Sequence, residues 1–190
     1  MEDEQLPAAA EAVDADGSDE AVAQERTPSP RKGHLVGLTF SVAAFVIVVD
    51  QVTKLLAIRY LEGQDPIDLL GGLVTLTFLR NPGAAFSFGT GYTFVFTAIA
   101  TIVAVFIVRK SRQIGSIGWA IALGGLLGGA VGNLIDRVFR EPALLQGHVV
   151  DWITFPNFAV FNLADASIVC SSALMVLLAL RGVELDGSRA

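Results

Sequence analysis

The sequence predicts an all-α integral membrane protein: four transmembrane helices, a small extracytoplasmic β element and a short interfacial segment. Three observations carry this. The 190 residues are 53% hydrophobic with a mean hydropathy of +0.59, and only 17% are charged, against about a quarter in an ordinary soluble domain. Four apolar runs approach the length of about 20 residues that crosses a hydrocarbon core of about 30 Å. The polar chain left between them is too short to cover a soluble core.

Residues 1–33 form the first segment. Nine of the 19 acids lie in residues 1–30 beside a single base, Arg26, leaving 10 acids and 12 bases in the rest of the chain. The net charge of −6 therefore belongs to the tail, and no basic face points to a nucleic-acid partner. The tail is rich in Ala and Pro and has no aromatic residue before His34. Such a composition cannot bury enough apolar surface to offset chain entropy, so it reads as disordered. It also lacks the basic start and apolar core of a cleaved signal peptide.

The membrane domain spans 34–182. Its first run, 35–49, is uncharged, and helical character continues to about Ile58. The second is 92–108, the third 114–135, and the fourth 158–180, interrupted only by Asp165. Arg31 and Lys32 precede the first span, Arg109, Lys110 and Arg112 fill the 2–3 turn, and Arg181 and Arg189 follow the fourth. Cytoplasmic flanks collect Lys and Arg, so both termini are expected inside, with 183–190 a cytoplasmic tail and loops 59–91 and 136–157 outside. In the first loop, Gly71-Gly72 and the alternation of Val74, Leu76 and Phe78 predict a hairpin. In the second, Pro142, Gly147 and Pro156 among Trp152, Ile153 and Phe155 predict the interfacial segment. Gly124, Gly128 and Gly132, with Gly125 and Gly129, predict close helix packing in the third span. The lone Cys170 excludes an internal disulfide and reads as a small buried hydrophobe.

Ionisable residues in or beside spans are functional candidates. Asp50, Asp136, Asp151 and Asp165 all fall toward the outer face, with Asp165 about two turns into the fourth span. Asp50 has Lys54 at i+4 on one helix face, and Asp136 precedes Arg137, so these acids read as structural or substrate-orienting. Asp151 and Asp165 are flanked by apolar residues without a neighbouring cation. Desolvation raises a carboxyl pKa, and two close carboxylates share a proton. One can then deprotonate water while the other polarises a carbonyl. The alternative at this level is that one of the two merely caps or hydrogen-bonds. There is no His-Glu-x-x-His zinc motif and no Gly-x-Ser-x-Gly elbow.

Four blocks carry a family resemblance: Asp50-Gln51-Val52-Thr53-Lys54; Arg80-Asn81-Pro82-Gly83-Ala84-Ala85-Phe86-Ser87-Phe88; Gly128 through Asp136-Arg137; and Gly147-His148-Val149-Val150-Asp151 with Phe161-Asn162-Leu163-Ala164-Asp165. In this order, over about residues 35–180, the chain resembles the lipoprotein signal peptidases, or signal peptidase II. These are bacterial inner-membrane aspartyl proteases that cleave signal peptides from lipid-modified prolipoproteins. The resemblance implies that Asp151 and Asp165 are the catalytic pair. It implies that Asn133, Arg137 and Asn162 line the site or hold substrate, that Asn81 and Gly83 belong to an outer loop cradling substrate, and that Asp50 and Lys54 support the site, with Asp136 beside them. The implied substrate is a diacylglyceryl-modified prolipoprotein, cut before its lipidated cysteine. Membrane lipid surrounds the enzyme, the peptide antibiotic globomycin is expected in the cleft, and no metal or organic cofactor is implied. The competing reading is a small membrane transporter or proton-conducting subunit, since membrane carboxylates also serve proton relays. Against it, the acids lie at the rim rather than the midplane, and no inverted repeat is visible.

Overall fold

The computed structural model describes residues 30–83 and 93–189. Its elements are helix α1 (Pro30–Leu61), strands β1 (Ile67–Leu69) and β2 (Val74–Asn81), helices α2 (Thr93–Lys110) and α3 (Ile117–Phe139), strand β3 (Val149–Thr154) and helix α4 (Leu163–Leu180). Of the expected disordered tail 1–33, residues 1–29 lie outside the described residues, as does the Ala84–Phe88 part of the second family block. The helix begins at Pro30, earlier than the expected boundary at 34. Proline suits a first helical position, where its missing N–H would have no partner anyway.

Among the described residues three segments are long and apolar enough to cross a membrane: Gly33–Leu61, Ile117–Phe139 and Leu163–Leu180. They differ in what covers them. Helix α3 is largely buried, whereas α1 and α4 turn most of their apolar surface outward. Phe45, Val48 and Leu55 on α1 and Val169, Val176 and Leu180 on α4 are all exposed. So is Cys170, against the expectation of burial. In a membrane helix, lipid rather than protein covers an apolar outward face.

Helix α3 occupies the centre because its glycines let two neighbours approach on different sides. A Cβ at Gly128 would lie 2.8 Å from the Ala43 carbonyl oxygen and 2.7 Å from Val46 Cβ of α1. A Cβ at Gly129 would lie 2.5 Å from the Ala164 carbonyl oxygen and 2.7 Å from Ile168 Cγ1 of α4. Backbone contact at these separations excludes any side chain. The expected glycine packing is thus present on two faces.

The three strands form one antiparallel sheet in the order β1-β2-β3. Ile67 pairs with Leu76 and Leu69 with Val74, the expected hairpin, turned by Gly71 at φ 69° and Gly72 at φ 88°. The segment read as interfacial instead supplies β3, which pairs with β2 from Thr75↔Thr154 to Asn81↔Val149, with an irregularity between Leu76 and Leu79. Pairing with β2 satisfies backbone groups that an isolated segment would leave to water. Helices α1 and α3 also run on to Leu61 and Phe139, and α4 starts only at Leu163, so the first loop begins after 61 rather than at 59 and the second is displaced to 140–162 from the expected 136–157.

At the opposite end, residues 183–189 form a docked turn. Gly115 N–H donates to the Leu185 carbonyl at 2.9 Å, Trp119 Nε1 donates to the Val183 carbonyl at 2.8 Å, and Leu185 packs into the core between α1, α2 and α3.

Candidate active site

The end of the bundle that carries the sheet gathers the polar residues. Lys54, two turns before the end of α1, is fully buried, as are Asp50 and Asp136. Its Nζ lies 2.8 Å from Asp50 Oδ2 and 2.9 Å from Asp136 Oδ2. The i+4 pair is the one the sequence predicts, but Asp136 joins it from α3. The second oxygen of Asp136 receives Nε of Arg140, one turn further along α3, at 2.6 Å. Neighbouring positions on a helix point about 100° apart, whereas i and i+4 share a face.

These charges hold backbone as well. Asp50 Oδ1 accepts the Ala164 N–H at 2.9 Å, tying α1 to the start of α4. Asp136 Oδ2 accepts the Val150 N–H at 3.2 Å, tying α3 to β3 beside Asp151. A carboxylate accepting N–H groups in a water-poor site makes the stronger, charge-assisted kind of hydrogen bond.

Asp165 lies in the first turn of α4, not two turns in. Asn162 stops the helix from starting earlier. Its Oδ1 accepts the Asp165 N–H at 2.9 Å, and Asp165 Oδ2 accepts the Asn162 N–H at 3.3 Å, a reciprocal capping box. The preceding Phe161 is committed to β3 through the Ile153 backbone.

Two asparagines join Asp151 and Asp165. Asn162 Nδ2 donates to Asp151 Oδ1 at 2.6 Å and to Asn133 Oδ1 at 3.1 Å. Asn133 Nδ2 donates to Asp165 Oδ1 at 2.7 Å, while Lys54 Nζ donates to Asn133 Oδ1 at 2.9 Å. From β2, Asn81 Nδ2 donates to Asp151 Oδ2 at 2.8 Å, and Asn81 Oδ1 accepts the Gly83 N–H at 2.8 Å. Gly83 needs φ 109° for this turn, a region that favours glycine. Arg137 Nη1 donates to the Asn133 carbonyl at 3.4 Å, and its charge lies within reach of Asp165, Asp151 and Asp136.

Burial pushes the Asp151 carboxyl up to about 6, and the charge of Asp165 pushes the same way; hydrogen bonds from Asn81 and Asn162 oppose it. A carboxyl in that range exchanges a proton near neutral pH. The candidate site residues named from the sequence therefore lie together at one end of the bundle. The sequence reading names Gln51 only within the first family block, without a role, and misses Arg140. Gln51 Nε2 donates to the Gly132 carbonyl at 3.0 Å and to Asp50 Oδ2 at 3.1 Å. The i+4 spacing of Asp136 and Arg140 was the available signal for the second.

A family model described as signal peptidase (SPase) II matches residues 42–181. The lipoprotein signal peptidase of Streptomyces coelicolor is 48% identical over 166 residues, covering 87% of this chain and 80% of the relative. That of Rhodococcus jostii is 43% identical over 193 residues, covering 100% of this chain and 98% of the relative. A bacterial membrane enzyme solved by the in meso method at 1.9 Å superposes with a TM-score of 0.67 at 30% identity, covering 76% of this chain and 94% of that one. Likeness to a membrane enzyme and the candidate spans fit a multi-pass membrane protein. With a matching model over most of its length and relatives above 40% identity, the chain belongs to the signal peptidase II family of proteases.

Proposed function

We propose that the chain is an intramembrane aspartyl endopeptidase that removes signal peptides from diacylglyceryl-modified prolipoproteins, cutting before the lipidated cysteine. The observation that carries this reading is the asparagine-bridged pair, Asp151 and Asp165, joined through Asn162 and Asn133. In the reaction one carboxylate takes a proton from water, whose oxygen attacks the scissile carbonyl. The other carboxyl, protonated, donates to the carbonyl oxygen. The tetrahedral intermediate then collapses as the leaving nitrogen takes a proton from the pair. The raised pKa of Asp151 supports a pair that holds one proton. Asn133, Asn162, Asn81 and Gly83 line the approach, Arg137 orients substrate, and Asp50, Lys54 and Asp136 support the frame.

In the same reading the protein lies in the bacterial inner membrane with both termini cytoplasmic and the sheet and aspartates at the outer face. Helix α2 is the fourth span: it has 18 residues, with charge only at Arg109 and Lys110, and about 1.5 Å per residue brings it close to the core thickness. Membrane lipid surrounds the bundle, and globomycin-type peptides bind the same cleft.

The test is a reconstituted assay on a lipidated prolipoprotein. The expected product carries a free amino-terminal, diacylglyceryl-modified cysteine by mass spectrometry. Intact substrate, or cleavage elsewhere, contradicts the proposal.

A further inference from the structure

We propose that Arg140 is a positioning residue of the peptidase site, setting both aspartates by completing the charge balance around Lys54; the proposal rests on the functional reading above. Asp50, Lys54 and Asp136 are fully buried, and two carboxylates there share one ammonium, at 2.8 and 2.9 Å. An uncompensated buried charge is costly. Arg140 supplies a second cation in direct contact: its Nε lies 2.6 Å from Asp136 Oδ1, and its side chain is only 16% exposed. Its Nη2 also donates to Gln51 Oε1 at 3.4 Å, and Gln51 Nε2 donates back to Asp136 Oδ1 at 3.3 Å.

Two lines lead from this pair to the site. Asp136 Oδ2 accepts the N–H of Val150, the residue before Asp151. Lys54 holds Asn133 Oδ1, and Asn133 Nδ2 holds Asp165. With Arg140 in place, Asp136 is neutralised from its Oδ1 side, and Lys54 can serve Asp50, Asp136 and Asn133 together. Without it, the unbalanced carboxylate draws the ammonium toward itself and away from Asn133, so Asp165 loses its fixed donor.

The geometry gives a discriminating test. Both Lys54 and Val150 meet Asp136 through Oδ2, and Arg140 meets it through Oδ1. In the double variant Asp136→Asn/Arg140→Gln, the new amide oxygen can keep the Oδ2 contacts, and its NH₂ can donate to the glutamine introduced at 140, at the loss of the 3.3 Å bond from Gln51 Nε2. Charge is balanced again. Purified full-length variants are assayed in detergent for kcat, KM and Tm on a lipidated prolipoprotein. Arg140→Gln should lower kcat about tenfold to a hundredfold, the range for lost supporting partners, with KM within about twofold. Arg140→Lys, which keeps the charge, should retain most of kcat and covers the case in which Arg140→Gln does not fold. The double variant should recover at least about half of the lost log kcat. Wild-type kcat in Arg140→Gln, or a double variant no better than Arg140→Gln, or Arg140→Lys as impaired as Arg140→Gln, overturns the proposal. Failure of the underlying reading shows separately, as turnover by Asp151→Asn in the same assay.

Discussion

Asn133 donates to Asp165 across 2.7 Å, and Lys54 fixes which way round its amide sits by occupying Oδ1 from the other side at 2.9 Å. An amide can rotate by 180° and exchange its donor for its acceptor. Here an ammonium, which can only donate, removes that freedom. The buried ion cluster therefore sets the polarity of the bridge between the two proposed catalytic aspartates.

Lys54→Met should accordingly cost far more than a side-chain contact. It leaves Asp50 and Asp136 buried without their shared cation. Breaking a buried pair by removing one partner costs about 3–5 kcal/mol. Thermal unfolding in detergent should show a large drop in Tm, together with lost cleavage. An unchanged Tm would mean that water reaches these carboxylates.

Gly128→Leu should destabilise the bundle by about 1–3 kcal/mol or more, the usual cost of overpacking. The new Cβ would lie 2.7 Å from Val46 Cβ and 2.8 Å from the Ala43 carbonyl oxygen, and backbone cannot rotate away. A wild-type Tm would contradict the observed α1–α3 contact.

The pH dependence follows from Asp151. Because burial, with the charge of Asp165 adding to it, pushes Asp151 up to about 6, the proton that Asp151 holds is lost as pH rises through about 6. The kcat/KM of the free enzyme should fall across that window. Asn81 donates to the ionised form and lowers this pKa, so Asn81→Ala should move the falling limb to higher pH. Stability has the same sign. A carboxyl raised in the fold from 3.8 is accommodated best when protonated, so its contribution to stability declines from about pH 4 through about 6. A falling limb that moves to lower pH in Asn81→Ala would refute the assignment.

Arg137→Lys tests substrate orientation. Arginine offers a fixed fork of donors that lysine lacks, and Arg137 reaches the Asn133 carbonyl at 3.4 Å with both aspartates within electrostatic range. The expected result is a KM raised about tenfold, equivalent to roughly 1.4 kcal/mol, with a smaller change in kcat. Unchanged kcat and KM would remove Arg137 from the site.

Much of this was legible in the sequence because its signals are local. The Asp50–Lys54 pair follows from helical spacing, the β1–β2 hairpin from Gly71-Gly72, and the close packing of α3 from its glycines. What escaped depends on distant partners. Residues 149–154 read as an apolar interfacial stretch because their ladder to β2 pairs residues 68 to 79 positions apart, from Asn81↔Val149 to Thr75↔Thr154. The sequence places Asp165 too deep because nothing apolar marks the start of α4; Asn162, a polar cap within a hydrophobic run, marks it instead. Cys170 reads as buried because hydropathy does not tell a lipid-facing position from a packed one. The asparagine bridge joins α3, α4 and β3, and no spacing rule predicts it.

The central claim is that Asp151 and Asp165 act as one proton-sharing pair. It is tested most directly by cleavage of a lipidated prolipoprotein by purified Asp151→Asn, Asp165→Asn and the double variant, with Tm measured alongside. The amide nearly matches the carboxyl in shape but cannot take a proton from water. Each single variant should be folded and inactive, and the double variant no more impaired than either, since residues acting in one step do not contribute additively. Substantial turnover by either single variant would contradict the account.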